Sequence, residues 1–230
     1  MKIELSKSIV LLFVFVFVQE ASSQRIGLNA GINFNNVSAE VSDDFPELSS
    51  DTELKIGYRI GLVIDIELSD SFGFQPGLIF SSKGFSNEKE GDDYDRSTLN
   101  YLEIPLNARL NISEKITFLL GPYVAVGVGG KNKFRSNGEV VETSFNFGPT
   151  ERPVTAFQGN NVPLRTIDYG LNIGIGYSVG VTSINFGYGI GLSNMFPHFT
   201  DGFGNVVIDS DDIKFSSRVI SLSISHFINE

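Results

Sequence analysis

Two histidines, two sets of clustered aspartates and several glycine-rich runs are the groups in this chain whose types could do chemistry. A hydrolytic triad needs a histidine held beside a serine and an acid. Only His198, in FPHFTDG, and His226, between Ser225 and Phe227, are available. His198 is expected on an exposed loop and His226 at the end of the last strand, so no catalytic residue is assigned and a non-enzyme is expected. The runs GVGGK (127–131) and GYGIG (187–191) have the composition of phosphate loops. Such a loop needs a strand-to-helix turn, and here apolar alternation continues through the glycines. Asp92, Asp93 and Asp95, like Asp209, Asp211 and Asp212, could ligate calcium, but neither set has the ligand spacing of the helix-loop calcium motif. No metal and no cofactor is expected.

A third group has a different signature. Arg25, Lys55, Arg59, Asp65, Glu67, Glu103, Arg109 and Asp168 each stand at a polar position of an alternating row. In KIGYRIGLVIDIE, starting at Lys55, Ile56, Tyr58, Ile60, Leu62, Ile64 and Ile66 share one face, and only Val63 interrupts the polar or small face. Similar rows start near Arg25, Phe72, Tyr101, Thr117, Gly170, Thr182 and Ile220. Period two over such lengths means strands, and the count is eight. Short connections at 68–71, 111–115 and 179–182 alternate with long ones at roughly 35–53, 84–98, 130–166 and 195–214. An antiparallel up-and-down sheet with that rhythm has its tight turns at one end and its long loops at the other, as transmembrane β-barrels do.

The fold class expected is therefore all-β, an eight-stranded antiparallel up-and-down transmembrane β-barrel. Strands of this length cross hydrocarbon when tilted, and in lipid a sheet must close because an open edge leaves its backbone groups unsatisfied. Eight strands enclose a lumen just wide enough for side chains to fill. That accounts for Gly and Ser on the polar face. A lipocalin-like barrel or a sandwich shares the period, but its water-facing side would carry more Lys, Glu and Thr than is seen here. Arg59, Asp65, Glu103, Arg109 and Asp168 are the expected lumen network, read as ion pairs that plug the barrel in preference to a conduction path.

The bulk numbers agree. The 230 residues carry a net charge of −10 and no cysteine, which excludes disulfides and thiolate sites. An acidic chain is also a poor partner for nucleic acid. Lys2 and Lys7 precede an apolar run over 9–18, with Ala21, Ser22 and Ser23 after it. Those features describe a signal peptide over 1–23, cleaved after Ser23, with the barrel domain over 24–230. The run gives roughly 15 Å of helix against about 30 Å of hydrocarbon, too short for a spanning helix.

GLNAGINFNNVS (27–38), GYRIGLVIDIEL with FGFQPGLIFSSKG (57–84), LNYLEIPLNARLN (99–111) and GPYVAVGVGGK (121–131) together resemble the PorT-like outer-membrane β-barrel domain family of Bacteroidetes. The resemblance implies an outer-membrane location, periplasmic termini and contact with the membrane's assembly machinery. The aromatic such machinery reads, Phe227, is followed here by three further residues. It also implies, through the family's namesake, a place in a protein-secretion apparatus. Long loops on a rigid scaffold are where recognition happens. Lys133, Arg135, Phe145, Phe147, Arg152 and Phe157, in the segment 130–166, form the expected interaction surface for a protein partner or an anionic glycan. The acidic loops are expected to be solvated and bridged to lipopolysaccharide by divalent ions, and VVETSFNF (140–147) to extend the strands beyond the bilayer.

Overall fold

A computed structural model describes residues 24–41, 53–88, 93–136, 138–153, 155, 161–201, 203, 205–208 and 213–228. The expected signal peptide lies outside them. The strands are β1 (Gln24–Val41), β2 (Lys55–Glu67), β3 (Phe72–Glu88), β4 (Tyr94–Asn111), β5 (Ile116–Ser136), β6 (Glu139–Gly148), β7 (Glu151–Pro153), β8 (Asn161–Arg165), β9 (Ile167–Val179), β10 (Thr182–Gly191), β11 (His198–Thr200), β12 (Val206–Ile208) and β13 (Ile213–Ile228). Each of β1, β2, β3, β4, β5, β9, β10 and β13 pairs antiparallel with the next, and β13 returns to β1. The result is a closed ring of eight strands.

Alternation decides which side of the wall each residue takes. Ile56, Ile60, Leu102, Val124, Ile175, Phe186 and Leu222 stand exposed on the outside, a band of apolar side chains that only lipid can cover. Asn29, Asn33, Ser221, Ser223 and Ser225 are buried inside. Small inward residues follow from curvature: a Cβ on Gly121 would lie 2.0 Å from the Leu106 carbonyl oxygen of the next strand. At the tight turn between β9 and β10, Gly180 has φ +59°, a backbone region that glycine enters without strain.

The long connections are shorter than expected at 84–98 and 130–166, because β3, β4 and β5 continue to Glu88, from Tyr94 and to Ser136. Beyond the bilayer water lies on both sides of the ladder, so hydrogen bonding continues while apolar alternation stops. β6 pairs antiparallel with the β5 extension, and β8 lies parallel to β6. β7, β11 and β12 form a small separate sheet.

One irregularity reverses a face. The β4–β5 register shifts at Asn100/Tyr101, where Asn100 pairs with Gly129 and Tyr101 with Gly127. A bulge of this kind exchanges inside for outside along the rest of the strand. Gly129, expected inside with Gly127, therefore faces out, and a Cβ there would meet nothing within 4 Å. Gly130 takes the inward place, against Leu99 and Phe145.

The lumen is not wholly polar. Val63, Ile79 and Phe227 pack together inside it. Nearer the long-loop end, Val37, Leu99, Tyr101, Tyr123, Ala125, Leu164 and Met195 form the main apolar cluster, with Phe85, Phe145, Phe147 and Phe215 against it.

Candidate functional site

The residues expected in one lumen network fall into two groups. At mid-barrel, Lys83 Nζ lies 3.1 Å from Glu103 Oε2 and 3.0 Å from Asp168 Oδ2. All three side chains are buried. Ser193 Oγ donates to Asp168 Oδ1 at 2.6 Å and the Tyr123 hydroxyl to Asp168 Oδ2 at 3.3 Å. The Lys83 ammonium also sits over the Tyr123 and Tyr101 rings, 4.5 and 5.2 Å from their centroids. Arg59 Nε donates to Asn29 Oδ1 at 3.2 Å, and the Arg59 charge interacts with that of Glu103. Two cations thus face two carboxylates, and the layer is neutral.

Lys83 is the member of this layer that sequence reasoning missed. It continues the inward row Gly73, Gln75, Gly77, Ile79 and Ser81 by one more step. Ending the strand at its last apolar pair hid it.

The second group lies toward the short-turn end. Asp65 Oδ2 accepts from Arg25 Nη2 at 2.5 Å and from Arg109 Nη1 at 2.9 Å. Gly73 leaves room for this arrangement, since a Cβ there would sit 2.8 Å from Arg109 Nε. Arg25 and Arg109 also border an open vestibule of about 470 Å³, with Glu67, Asp70 and Glu114 on its rim. Between the groups, beside Arg59, Glu103 and Ser221, a cavity of only about 70 Å³ remains. That holds a few waters. Lys55, at the other end, donates to the Ser97 carbonyl oxygen.

The segment expected to present an interaction surface is divided by the wall. Phe145 and Phe147 turn inward, Phe147 meeting Tyr101 edge-on at 5.5 Å. They close the long-loop mouth and so are not part of an exposed face. The β5 bulge puts them there, because β6 pairs with a strand whose inward residues are now Gly130, Asn132 and Phe134. The same shift sends Lys133 and Arg135 outward with Lys131. Lys131 and Lys133 reach Glu142 at 3.2 and 3.3 Å. Their hydrogen bonds hold the Glu142 carboxyl below the ordinary carboxylate range. Arg152 Nη1 donates to the Asn146 carbonyl oxygen at 2.8 Å. Phe157 lies outside the described residues.

The histidines stand far apart in the fold. His226 Nδ1 is 2.9 Å from Thr182 Oγ1 beside the β9–β10 turn. Ser225 points to the opposite side of the wall, where Asn29 and Asn185 donate to it at 2.9 and 3.2 Å. His198 lies half-buried on β11 at the long-loop end, beside Glu151 of β7. Among the described residues no three His, Asp or Glu side chains are grouped to hold a metal. Asp92, Asp209, Asp211 and Asp212 lie outside them.

The family model described as "Outer membrane protein beta-barrel domain" matches residues 17–197. Among solved structures, Neisserial surface protein A is 11% identical, with 89% of this chain and 99% of that one covered and a TM-score of 0.47. Ail, the attachment invasion locus protein of Yersinia pestis, is 12% identical, with 88% and 99% covered and a TM-score of 0.45. No curated protein matches.

Proposed function

This chain belongs to the outer membrane protein beta-barrel domain family, and from that premise we propose that it is a non-enzymatic, plugged barrel whose extracellular extension is its interacting part. It is an outer-membrane β-barrel of the Gram-negative type, so its long-loop end faces outward and its short turns face the periplasm. The observation that carries the proposal is the Lys83–Glu103–Asp168 layer beneath the aromatic closure. A conducting lumen needs charges free to meet passing ions, whereas these are committed to one another and buried. A hydrolytic reading finds no support in Ser225 and His226, which face opposite sides of the wall.

The narrower likeness to the PorT-like branch belongs to the same proposal. A secretion partner would meet the barrel at the periplasmic vestibule around Arg25 and Arg109, the end that is open. Recording from the purified protein in planar bilayers tests the plug. Stable conductance above the bare membrane is not expected, and large, long-lived openings would reject it.

A further inference from the structure

The vestibule at the short-turn end has a floor and a rim of opposite charge. At the floor two guanidinium groups share one carboxylate, since Asp65 Oδ2 accepts from Arg25 Nη2 and from Arg109 Nη1. One positive charge is left over. Arg109 is buried, yet its Nε and Nη2 make no hydrogen bond within the chain. An unsatisfied buried donor on a charged group is costly, so this fork suits an acceptor that comes from outside the chain. Gly73, paired with Arg109 across β3 and β4, keeps the fork uncovered: a Cβ there would lie 2.8 Å from Nε and 3.0 Å from Nη2. Arg25, with a side chain 32% exposed, borders the same vestibule as Arg109. Thr117 and Ser183 add neutral donors to its wall.

The rim is acidic. Glu67, Asp70 and Glu114 border the vestibule and are exposed. A simple anion is repelled there before it reaches the arginines, whereas a ligand that carries a cation behind its anion meets complementary charge at both levels. The strand gives the spacing of those levels. Glu67 follows Asp65 by two residues, roughly 7 Å at about 3.4 Å per residue, and Asp70 lies beyond it in the turn. An extended polypeptide has the same rise. With its terminal carboxylate at the arginines, the side chain two residues earlier is level with Glu67. The vestibule, about 470 Å³, is within the size range of sites that hold small ligands.

We infer that the vestibule binds the C-terminal end of a periplasmic polypeptide, its terminal carboxylate on Arg25 and Arg109 and a Lys or Arg two residues earlier against the acidic rim. This names the chemistry of the partner that the proposed function places at the vestibule, and it rests on that placement. It does not depend on the sealed lumen, so conductance and peptide binding fail separately.

The test is fluorescence-anisotropy titration of the full chain, folded in detergent, with labelled peptides ending in Lys-Ala-Ala as the free acid, the same peptide as its amide, and an Ala-Ala-Ala free acid. Hydrogen bonds to charged groups account for at least about tenfold in affinity, so the free acid should bind at least about tenfold more tightly than the amide. Replacing the peptide lysine by alanine should weaken binding by about two- to fivefold, as for exposed ion pairs. Arg25→Gln leaves Asp65 paired with Arg109 and removes the surplus charge, so it should lose most of the preference for acid over amide. Asp70→Asn combined with Glu114→Gln should lose the preference for lysine and keep that for the acid, a separation that misfolding cannot mimic. Heat-modifiable gel mobility reports whether each variant is folded. Equal binding of acid and amide to the wild type overturns the assignment of the terminus but leaves a partner at the vestibule that docks through other groups. An unchanged acid preference in folded Arg25→Gln overturns the site. Competition by free 6-aminohexanoate as strong as that of the peptide overturns the polypeptide as its occupant, because the site would then read a small amino acid.

Discussion

Lys83 shows how much one side chain controls inside a narrow barrel. Its ammonium bridges Glu103 and Asp168, with Arg59 as the second cation beside Glu103, and Lys83, Glu103 and Asp168 are all buried. Removing one partner of a buried ionic group leaves an uncompensated charge, at about 3–5 kcal/mol. Removing Lys83 together with Asp168 leaves Arg59 against Glu103, and the layer stays neutral. Lys83→Met should therefore lower the stability of the folded barrel by about that amount in urea titrations. The combined variant Lys83→Met, Asp168→Asn, which keeps Arg59 facing Glu103, should recover most of the loss. Equal destabilisation of the single and combined variants would mean that Lys83 acts through packing against Tyr101 and Tyr123 and not through charge.

At the scale of strands, period two was readable wherever lipid and lumen both act on the chain. The rows of alternate residues from Ile56 to Ile64 and from Leu171 to Tyr177 read as outer-face from sequence for that reason, and they stand exposed on the outside. Above the bilayer the contrast between the faces fades, which is why the ends of β3, β4 and β5 were not legible. Within the candidate network, Asp65 could be paired with Arg109, and Asp168 with Lys83, only once register was known, since those contacts join strands far apart in sequence. The bulge was less legible still. Carrying the parity of Gly127 and Gly129 forward would aim Lys131, Lys133 and Arg135 into the lumen, and only the β4 register turns them outward. The β5–β6 hairpin that results is held in part by Glu142. Because hydrogen bonds from Lys131 and then Lys133 lower its pKa, their contribution is present above the unfolded carboxylate value and lost as pH falls through the folded one. Protection of the hairpin amides, taken against the unstructured exchange rate at each pH, should thus fall on acidification below about pH 4, relative to a Glu142→Gln control that lacks this dependence. An identical profile in both would show that the ion pairs do not hold the hairpin.

The whole molecule is asymmetric along the membrane normal. Aromatic side chains close the outward mouth, whereas the vestibule at the other end is open and bordered by Arg25, Arg109 and Thr117. Small barrels are rigid, closed sheets, so this asymmetry is built into the wall and needs no moving part. The chain contains no cysteine, so single cysteines can report it cleanly. Lys133→Cys, on the outward extension, should react with a membrane-impermeant maleimide on intact cells. Ser113→Cys, in the β4–β5 turn, should react only after the outer membrane is permeabilised. Thr117→Cys is the decisive position, because it borders the vestibule at the short-turn end. It should follow Ser113→Cys as long as the closure holds. Adding Phe147→Ala and Phe145→Ala to Thr117→Cys removes the closing rings but leaves the Lys83 layer in place. Protection retained in that background identifies the charged layer as the barrier, and labelling on intact cells identifies the aromatic rings. Labelling of the unmodified Thr117→Cys barrel from outside would mean that neither seals it, and the plugged reading would fall.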